Sequence, residues 1–289
     1  MAITGSPFSP PAAPFDAVAD TYDETFTSSQ IGRTQRDAVT SEFDHVFRPG
    51  QRILEINCGT GFDAVFLGRH GVKVLACDSS PRMIEVARRR AAQSGVEHCV
   101  DFRVLASERI GALTPTEGMA GFDGLLSNFG GLNCIKDLSA VAGDLARLLK
   151  PGAPALLCVF GRSCLWEVLW YLGQGNATQA FRRFGTDGSL ARLGGGVTIR
   201  VHYPSVREIA RAFTPHFSLR HWKGVGVAVP PSYMEPWVRR FPRILKLLAE
   251  ADRGLGRCPL IKAVADHVLL TFGRKSAPRY EIEGSHFDS

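Results

Sequence analysis

The chain has 289 residues, 45% of them hydrophobic and 21% charged, and a formal net charge of +6. Such a composition excludes a wholly disordered chain and suits one large core, or a main domain with insertions, because single cores stop growing near roughly 250–300 residues. The longest apolar runs, APALLCVFG (153–161) and GVGVAVPPSYM (224–234), fall well short of the ~20 residues that a membrane-spanning helix needs.

Residues 1–14 hold four prolines and no charge, and are expected to form a flexible leader. No positive segment precedes an apolar core there, so the N-terminus does not read as a secretory signal and the expected location is cytoplasmic. From Phe15 to about Phe47 the pattern is polar and helical. From Gln51 onward, short apolar runs alternate with amphipathic helical stretches, the mark of a parallel sheet covered by helices. The predicted strands are QRILEIN, VKVLACD, CVDFRVLA, FDGLLSN and APALLCVF. Between them lie helices over Asp63–His70, from Pro81 to Gly95, and over 138–149. The last of these has apolar residues at Leu138, Val141, Ala142, Leu145, Leu148 and Leu149 and stops at Lys150-Pro151-Gly152. After Phe160 the alternation breaks into an insertion over 162–200, a helix in SVREIARAF, a strand in FSLRHWKGVGV, a second insertion over 228–261 and a closing strand, HVLLTFGR. A single domain is thus expected over 15–275, with its cofactor-binding core in 15–161 and a flexible tail from Ser276.

The seven cysteines are odd in number and form no C-x-x-C pair; Cys77, Cys99, Cys134 and Cys158 sit in apolar runs. They are expected to be inert core thiols, with neither a disulfide framework nor a metal site. Charge is uneven along the chain: residues 1–159 carry 15 Lys and Arg against 18 Asp and Glu, whereas 160–275 carry 18 against 7.

The first strand runs into LEINCGTG, with Glu55, Asn57, Cys58, Gly59 and Gly61. A glycine turn between strand and helix lets backbone N–H groups approach a ligand, and the helix N-terminus adds partial positive charge. Seventeen residues beyond Gly61 the second strand ends at Asp78, where a carboxylate can accept from both hydroxyls of a ribose. The segment Gly59–Ala64 also satisfies G-x-G-x-x-G/A, the dinucleotide fingerprint, which leaves a nicotinamide oxidoreductase as an alternative. Against it, no tyrosine has a lysine four residues on, and Glu55 inside the strand is foreign to the dinucleotide pattern.

Taken together, LEINCGTG, VLACDSSPRMIEVAR, FDGLLSNFGGLN and LARLLKPGAPALLCVF resemble the class I S-adenosylmethionine-dependent methyltransferases. The later VHYPSVREIARAFTPHF and HVLLTFGRK are similar to the small-molecule, ubiquinone-type members. The resemblance implies an α/β Rossmann-like fold: a mostly parallel seven-stranded sheet with an antiparallel last strand, plus helical lid insertions. It implies S-adenosyl-L-methionine as cofactor and S-adenosyl-L-homocysteine as product, with Gly59 and Gly61 near the methionyl part. Glu55 would hold the amino group, Asp78 the ribose, and Ser79 and Met83 would flank the adenine. Tyr22 matches the Tyr-Asp that closes over the cofactor, and Asn128 and Phe129 would border the methyl group. Arg33 or Arg36 is a candidate for the cofactor carboxylate.

Two departures stand out. Asn57 replaces the usual glycine, although Asn tolerates left-handed backbone better than other residues with a side chain. The usual Gly-Asp after the third strand is absent, so Ala106 backbone or Ser107 is expected to meet the adenine. A general base is needed only if the acceptor loses a proton before attack. Because related enzymes bring VHYPS towards the pocket, His202 and Tyr203 are the candidates. Asn133, Trp166, Trp170 and Tyr233 are expected on the acceptor side, and the aromatic insertions suit an acceptor with an apolar part. The basic second half suits an anionic acceptor or surface and leaves peripheral membrane contact open. The expected activity is methyl transfer to a small, partly apolar metabolite; an RNA methyltransferase and a non-catalytic cofactor-binding protein are the alternatives.

Overall fold

A computed structural model of the chain describes residues 13–113, 121–193 and 196–276. The leader and tail readings fall almost wholly on 1–12 and 277–289, outside the described residues. A 3-10 turn (Pro14–Val18) and a π turn (Asp23–Thr27) lead into α1 (Gln30–Thr40) and α2 (Phe43–Val46). The alternating part follows as β1 (Arg52–Ile56), α3 (Phe62–Arg69), β2 (Lys73–Asp78), α4 (Pro81–Gln93), β3 (Val100–Val104), β4 (Gly124–Ser127), α5 (Leu138–Leu148) and β5 (Pro154–Phe160). Two side-chain caps fix helix starts that border the site. Ser29 Oγ accepts from Gly32 N and Ser80 Oγ from Met83 N, caps worth ~1 kcal/mol each.

The seven-stranded sheet has the order β3-β2-β1-β4-β5-β9-β8, where β8 is Phe217–Val225 and β9 is His267–Arg274. Strands β1 to β5 run parallel, and β9 is antiparallel to both neighbours. Parallel strands buried on both faces show their period of two in the core. Leu54, Leu125, Leu157 and Leu270 enter the cluster beneath α5 and α8 (Val206–Phe213), while Ile53, Leu126, Leu156 and Leu269 enter the one beneath α1, α3 and α4. Strand order reverses between β1 and β4, and at such a switch point a crevice opens beyond the carboxyl ends of the strands.

The first insertion contains α6 (Leu165–Gly173), α7 (Ala177–Ala180) and a 3-10 turn (Arg182–Phe184). It then departs from the helical expectation, because β6 (Ser189–Arg192) and β7 (Thr198–Val201) pair as an antiparallel hairpin. The second insertion contains α9 (Glu235–Val238) and α10 (Pro242–Leu255). It builds a small core of Ile31, Val229, Met234, Val238 and Leu245 against α1.

A buried ionic network ties the first insertion to the sheet. Glu167 on α6 accepts from Arg182 Nε at 2.8 Å and from Arg183 Nη2 at 2.9 Å. Arg183 in turn donates to Asp266 Oδ1 at 2.7 Å and to the Gly161 and Asp266 carbonyls. Such a network offsets its desolvation cost only because each charge is multiply bonded. Cys134 is exposed rather than a core thiol: the turn Gly131–Cys134 sends Leu132 and Asn133 inward and the cysteine out.

Candidate active site

The loop after β1 is built from left-handed residues. Asn57 has φ +57°, Gly59 +52° and Gly61 +71°. At Gly61 a Cβ would fall 2.7 Å from Ala87 Cβ and 2.9 Å from Phe102, so α3, α4 and β3 pack closely only around a glycine. A Cβ on Gly59 would meet no protein atom within 4 Å, which leaves its open side free for a ligand. Asn57 keeps its side chain because Gly131 lacks one: a Cβ there would lie 2.2 Å from Asn57 Cβ. Cys58 is buried, and burial pushes its thiol well up, so it serves as packing beneath the turn.

Asp78 closes the turn from the second strand. Its Oδ2 accepts from Gly59 N and its Oδ1 from Ser80 N, both at 2.9 Å. A carboxylate has about four acceptor positions, so two remain for hydroxyls. Burial raises its pKa, opposed by the backbone N–H groups of Ser80, Gly59 and Ser79. Ser79 is exposed at the rim, Met83 is buried beneath it, Ala106 is half-buried and Ser107 buried. Glu108 points to solvent, leaving Ser107 and the backbone as the polar groups on that side.

Glu55, 1% exposed, is held in the floor of the site, and its Oε2 has no hydrogen-bond partner. Burial, then the neighbouring Asp63 carboxylate, pushes its pKa well above the usual range, while Arg36 works against them. Arg36 Nη1 lies 3.1 Å from both oxygens of Asp63, and Asn128 Nδ2 donates to Asp63 Oδ2 at 2.8 Å. The guanidinium sits between the rings of Phe62 (4.8 Å) and Phe129 (4.6 Å). Arg33 is exposed on α1, and of the two arginine candidates it is Arg36 that the helix turns inward.

The segment before α1 straps the turn. Asp23 accepts from Thr60 Oγ1 at 2.7 Å and pairs with Arg90, while Asp16 accepts from Ser80 Oγ at 2.5 Å. Tyr22, between these anchors, has its pKa raised by burial and feels Arg36, Asp78 and Asp63. Neither aspartate belongs to a local pattern; only the adjacent Tyr22-Asp23 pair hinted at them.

Beyond β4, Phe129 adopts φ +48° and meets a group of rings. His267 lies 5.4 Å from Phe129 and stacks at 4.6 Å on Phe160, which in turn lies 6.3 Å from Tyr203. Tyr203 is buried, with Arg183 5.2 Å from its ring centre. His202 is half-buried beside Gly188, which precedes β6 at the open end of the hairpin. Asn133, expected on the acceptor side, is engaged in holding this segment. It donates to His202 O at 2.7 Å, accepts from Phe160 N at 2.9 Å, and its carbonyl takes the N–H of His202. Trp166 is likewise occupied, since its Nε1 donates to Ala228 O and its ring packs on the second insertion's core. Trp170 and Tyr233 are 39% and 38% exposed, and the Tyr233 ring lies 5.9 Å from that of Tyr171 on α6. His267 carries no spacing signal that sequence reasoning could have used.

Residues 53–152 match a family described as a methyltransferase domain. A demethylmenaquinone methyltransferase of Clavibacter sepedonicus is 34% identical over 52% of this chain and 57% of its own length. A ubiquinone biosynthesis O-methyltransferase of Xylella fastidiosa is 34% identical over 43% of the chain and 48% of its own. The chain thus spans about half the length of the curated relatives it matches. Among solved structures, the CcbJ methyltransferase of Streptomyces caelestis aligns with TM-score 0.58 at 14% identity, covering 93% of this chain and 100% of that one. Geranyl diphosphate C-methyltransferase of Streptomyces coelicolor, solved with S-adenosyl-L-homocysteine, aligns with TM-score 0.54 at 18% identity, covering 92% and 82%. At these identities the structural likeness is one of fold. Residues 53–152 thus form a methyltransferase domain, and the likenesses around it are to methyltransferases of the class I S-adenosylmethionine-dependent type.

Proposed function

We propose that the protein transfers a methyl group from S-adenosylmethionine to a small hydroxylated metabolite with a large apolar part, of the kind suggested by the quinone-pathway names of its relatives. The observation that carries the reading is the unpartnered, buried Oε2 of Glu55 beside the open face of Gly59. An unmet buried oxygen suits an ammonium donor, and a glycine cradle suits the chain that bears it. In this reading Arg36 would meet the carboxylate of the same moiety, and Asp78 the ribose. Bound there, the cofactor supplies an already activated methyl carbon, so the residues around it chiefly orient and exclude water.

The lid supports an acceptor taken from an anionic bilayer surface. Arg239–Leu247 exposes Arg240, Phe241, Arg243, Ile244, Lys246 and Leu247, with only Leu245 buried. Among the described residues no carboxylate forms an ion pair with Arg240, Arg243 or Lys246. Apolar and cationic side chains mixed on one exposed segment fit the headgroup region of anionic lipid. Among the described residues no helix is long and apolar enough to cross a membrane.

Calorimetry with S-adenosylhomocysteine and with NAD tests the cofactor reading. Binding of the first alone is expected, and the reverse outcome refutes it. Incubating purified protein and labelled S-adenosylmethionine with a lipid extract and with RNA then tests the acceptor class. Labelled lipid product is expected, and label in RNA alone overturns it.

A further inference from the structure

His267 opens β9 at the edge of the sheet where the parallel strands end, in register with Phe160 of β5 and Val225 of β8. It is 5% exposed, and its ring closes the aromatic wall formed by Phe129 and Phe160. Phe129 directly follows Asn128, whose amide holds Asp63, so the imidazole stands one ring away from the cofactor turn. Its Nδ1 lies 3.3 Å from Asp266 Oδ2 without hydrogen-bond geometry and is one of the few buried polar atoms left unpartnered. Among the described residues, no hydrogen bond reaches Nε2 either. Asp266 is fixed from behind, by Arg183 Nη2 on Oδ1 at 2.7 Å and by Gln35 Nε2 on Oδ2 at 3.3 Å. Burial would raise this carboxyl's pKa, but His267 and Arg183 outweigh it and hold it well below the usual range. The arrangement is an ionised carboxylate behind an imidazole that faces an apolar wall.

We propose that His267 is the proton acceptor for the hydroxyl that is methylated and Asp266 its positioning residue, which makes the acceptor hydroxyl a phenol-class group held against Phe129, Phe160 and Tyr203. This rests on the methyl-transfer reading above. As the acceptor oxygen forms its bond to the methyl carbon, the sulfur–methyl bond breaks and its electron pair stays on sulfur. The hydroxyl proton passes to His267 Nε2 and then to solvent. The imidazolium so formed is stabilised by Asp266. The other charges around it are Arg183 from the first insertion, itself neutralised by Glu167, and Arg36 with Asp63 on the far side of Phe129. His202 is placed differently, its main chain bound on both sides by Asn133 and its imidazole beside Gly188.

The test uses 4-nitrocatechol, whose phenolate absorbs at longer wavelength than its phenol, with the S-adenosylhomocysteine-loaded protein. At a pH below that at which the free probe ionises, wild-type protein is expected to show the bound phenolate band. His267→Gln and His267→Phe, the second preserving the stack on Phe160, are expected to lose that band while calorimetry shows unchanged cofactor affinity. His202→Ala is expected to keep it, and Asp266→Asn to move the pH midpoint of the band upward. A band undiminished in both His267 variants overturns the proposal. So does wild-type protein that leaves the probe neutral or unbound, and so does loss of cofactor affinity in both variants, which would assign the imidazole to packing. Failure of wild-type protein to bind S-adenosylhomocysteine would overturn the methyl-transfer reading instead.

Discussion

Arg36 Nη1 lies equidistant, at 3.1 Å, from the two carboxylate oxygens of Asp63, and Asn128 completes the group at 2.8 Å. The pair joins α1 to the first turn of α3, so it fixes the helix that carries Tyr22's strap to the helix that follows the glycine turn. Both side chains are largely buried. Removing one partner strands the other charge, which costs about 3–5 kcal/mol. Asp63→Ala is therefore expected to lower unfolding free energy by that amount in urea titrations, with Arg36→Ala close to it. A loss below about 1 kcal/mol for either, the range of exposed pairs, would show the pair to be solvent-screened.

Glu55 predicts a pH signature. Its carboxyl holds a proton to higher pH in the folded protein than in the unfolded chain, because burial and Asp63 both penalise its charge. The folded state thus binds more protons between the two pKa values. This group's contribution to stability is full below the unfolded value and declines as pH rises through the raised one. Glu55→Gln removes the decline. In thermal melts without ligand, the variant is expected to gain on wild type from acid to neutral pH, by about 2–4 °C if the effect is ~1 kcal/mol. A difference independent of pH would mean that Glu55 does not titrate in this way. The same variant should bind S-adenosylhomocysteine more weakly, since a neutral amide replaces the partner of an ammonium.

Much of the site's frame was legible in the sequence, because it depends on local chemistry. The strand-turn-helix around Asn57–Gly61 follows from residue types that tolerate positive φ, and Asp78 from its place at the end of β2. Asn57 was expected to survive in the turn, but its complement, the missing side chain of Gly131, lies 74 positions away and leaves no periodic trace. The same holds for Glu167, Arg183 and Asp266, whose bonds span 16 and 83 positions. The lid shows a different limit. CLWEVLWYL reads as an apolar helix, yet burial of Glu167 on the network turns Leu165, Leu169, Trp170 and Leu172 to solvent. Composition alone could not assign those faces.

The strap before α1 predicts a kinetic effect. Asp23 and Asp16 tie residues 13–27 to Thr60 and Ser80, across the two loops that flank Asp78. Neither contact is deeply buried, so each is worth less than a buried charged hydrogen bond. The double variant Asp16→Ala/Asp23→Ala is expected to release S-adenosylhomocysteine roughly tenfold faster, a change of about 1.4 kcal/mol, with little change in association rate. Stopped-flow displacement measures both rates. An unchanged dissociation rate would show that the strap does not cover the ligand.

Surface charge on the lid makes the last prediction. Arg240, Arg243 and Lys246 stand among Phe241, Ile244 and Leu247 on one exposed segment. Each cation near an anionic bilayer contributes about 1 kcal/mol, and apolar side chains entering the interface add to it. The protein is therefore expected to sediment with vesicles of mixed phosphatidylglycerol and phosphatidylcholine, less in high salt, and hardly at all with phosphatidylcholine alone. Reversing the three charges to glutamate should weaken binding by roughly 100-fold or more, given about 1.4 kcal/mol per tenfold. The variant should leave S-adenosylhomocysteine affinity unchanged, because the segment lies outside the cofactor turn. Equal sedimentation of the variant, or binding to RNA without binding to vesicles, would remove the bilayer as the lid's partner. It would also leave the apolar acceptor to be reached from solution.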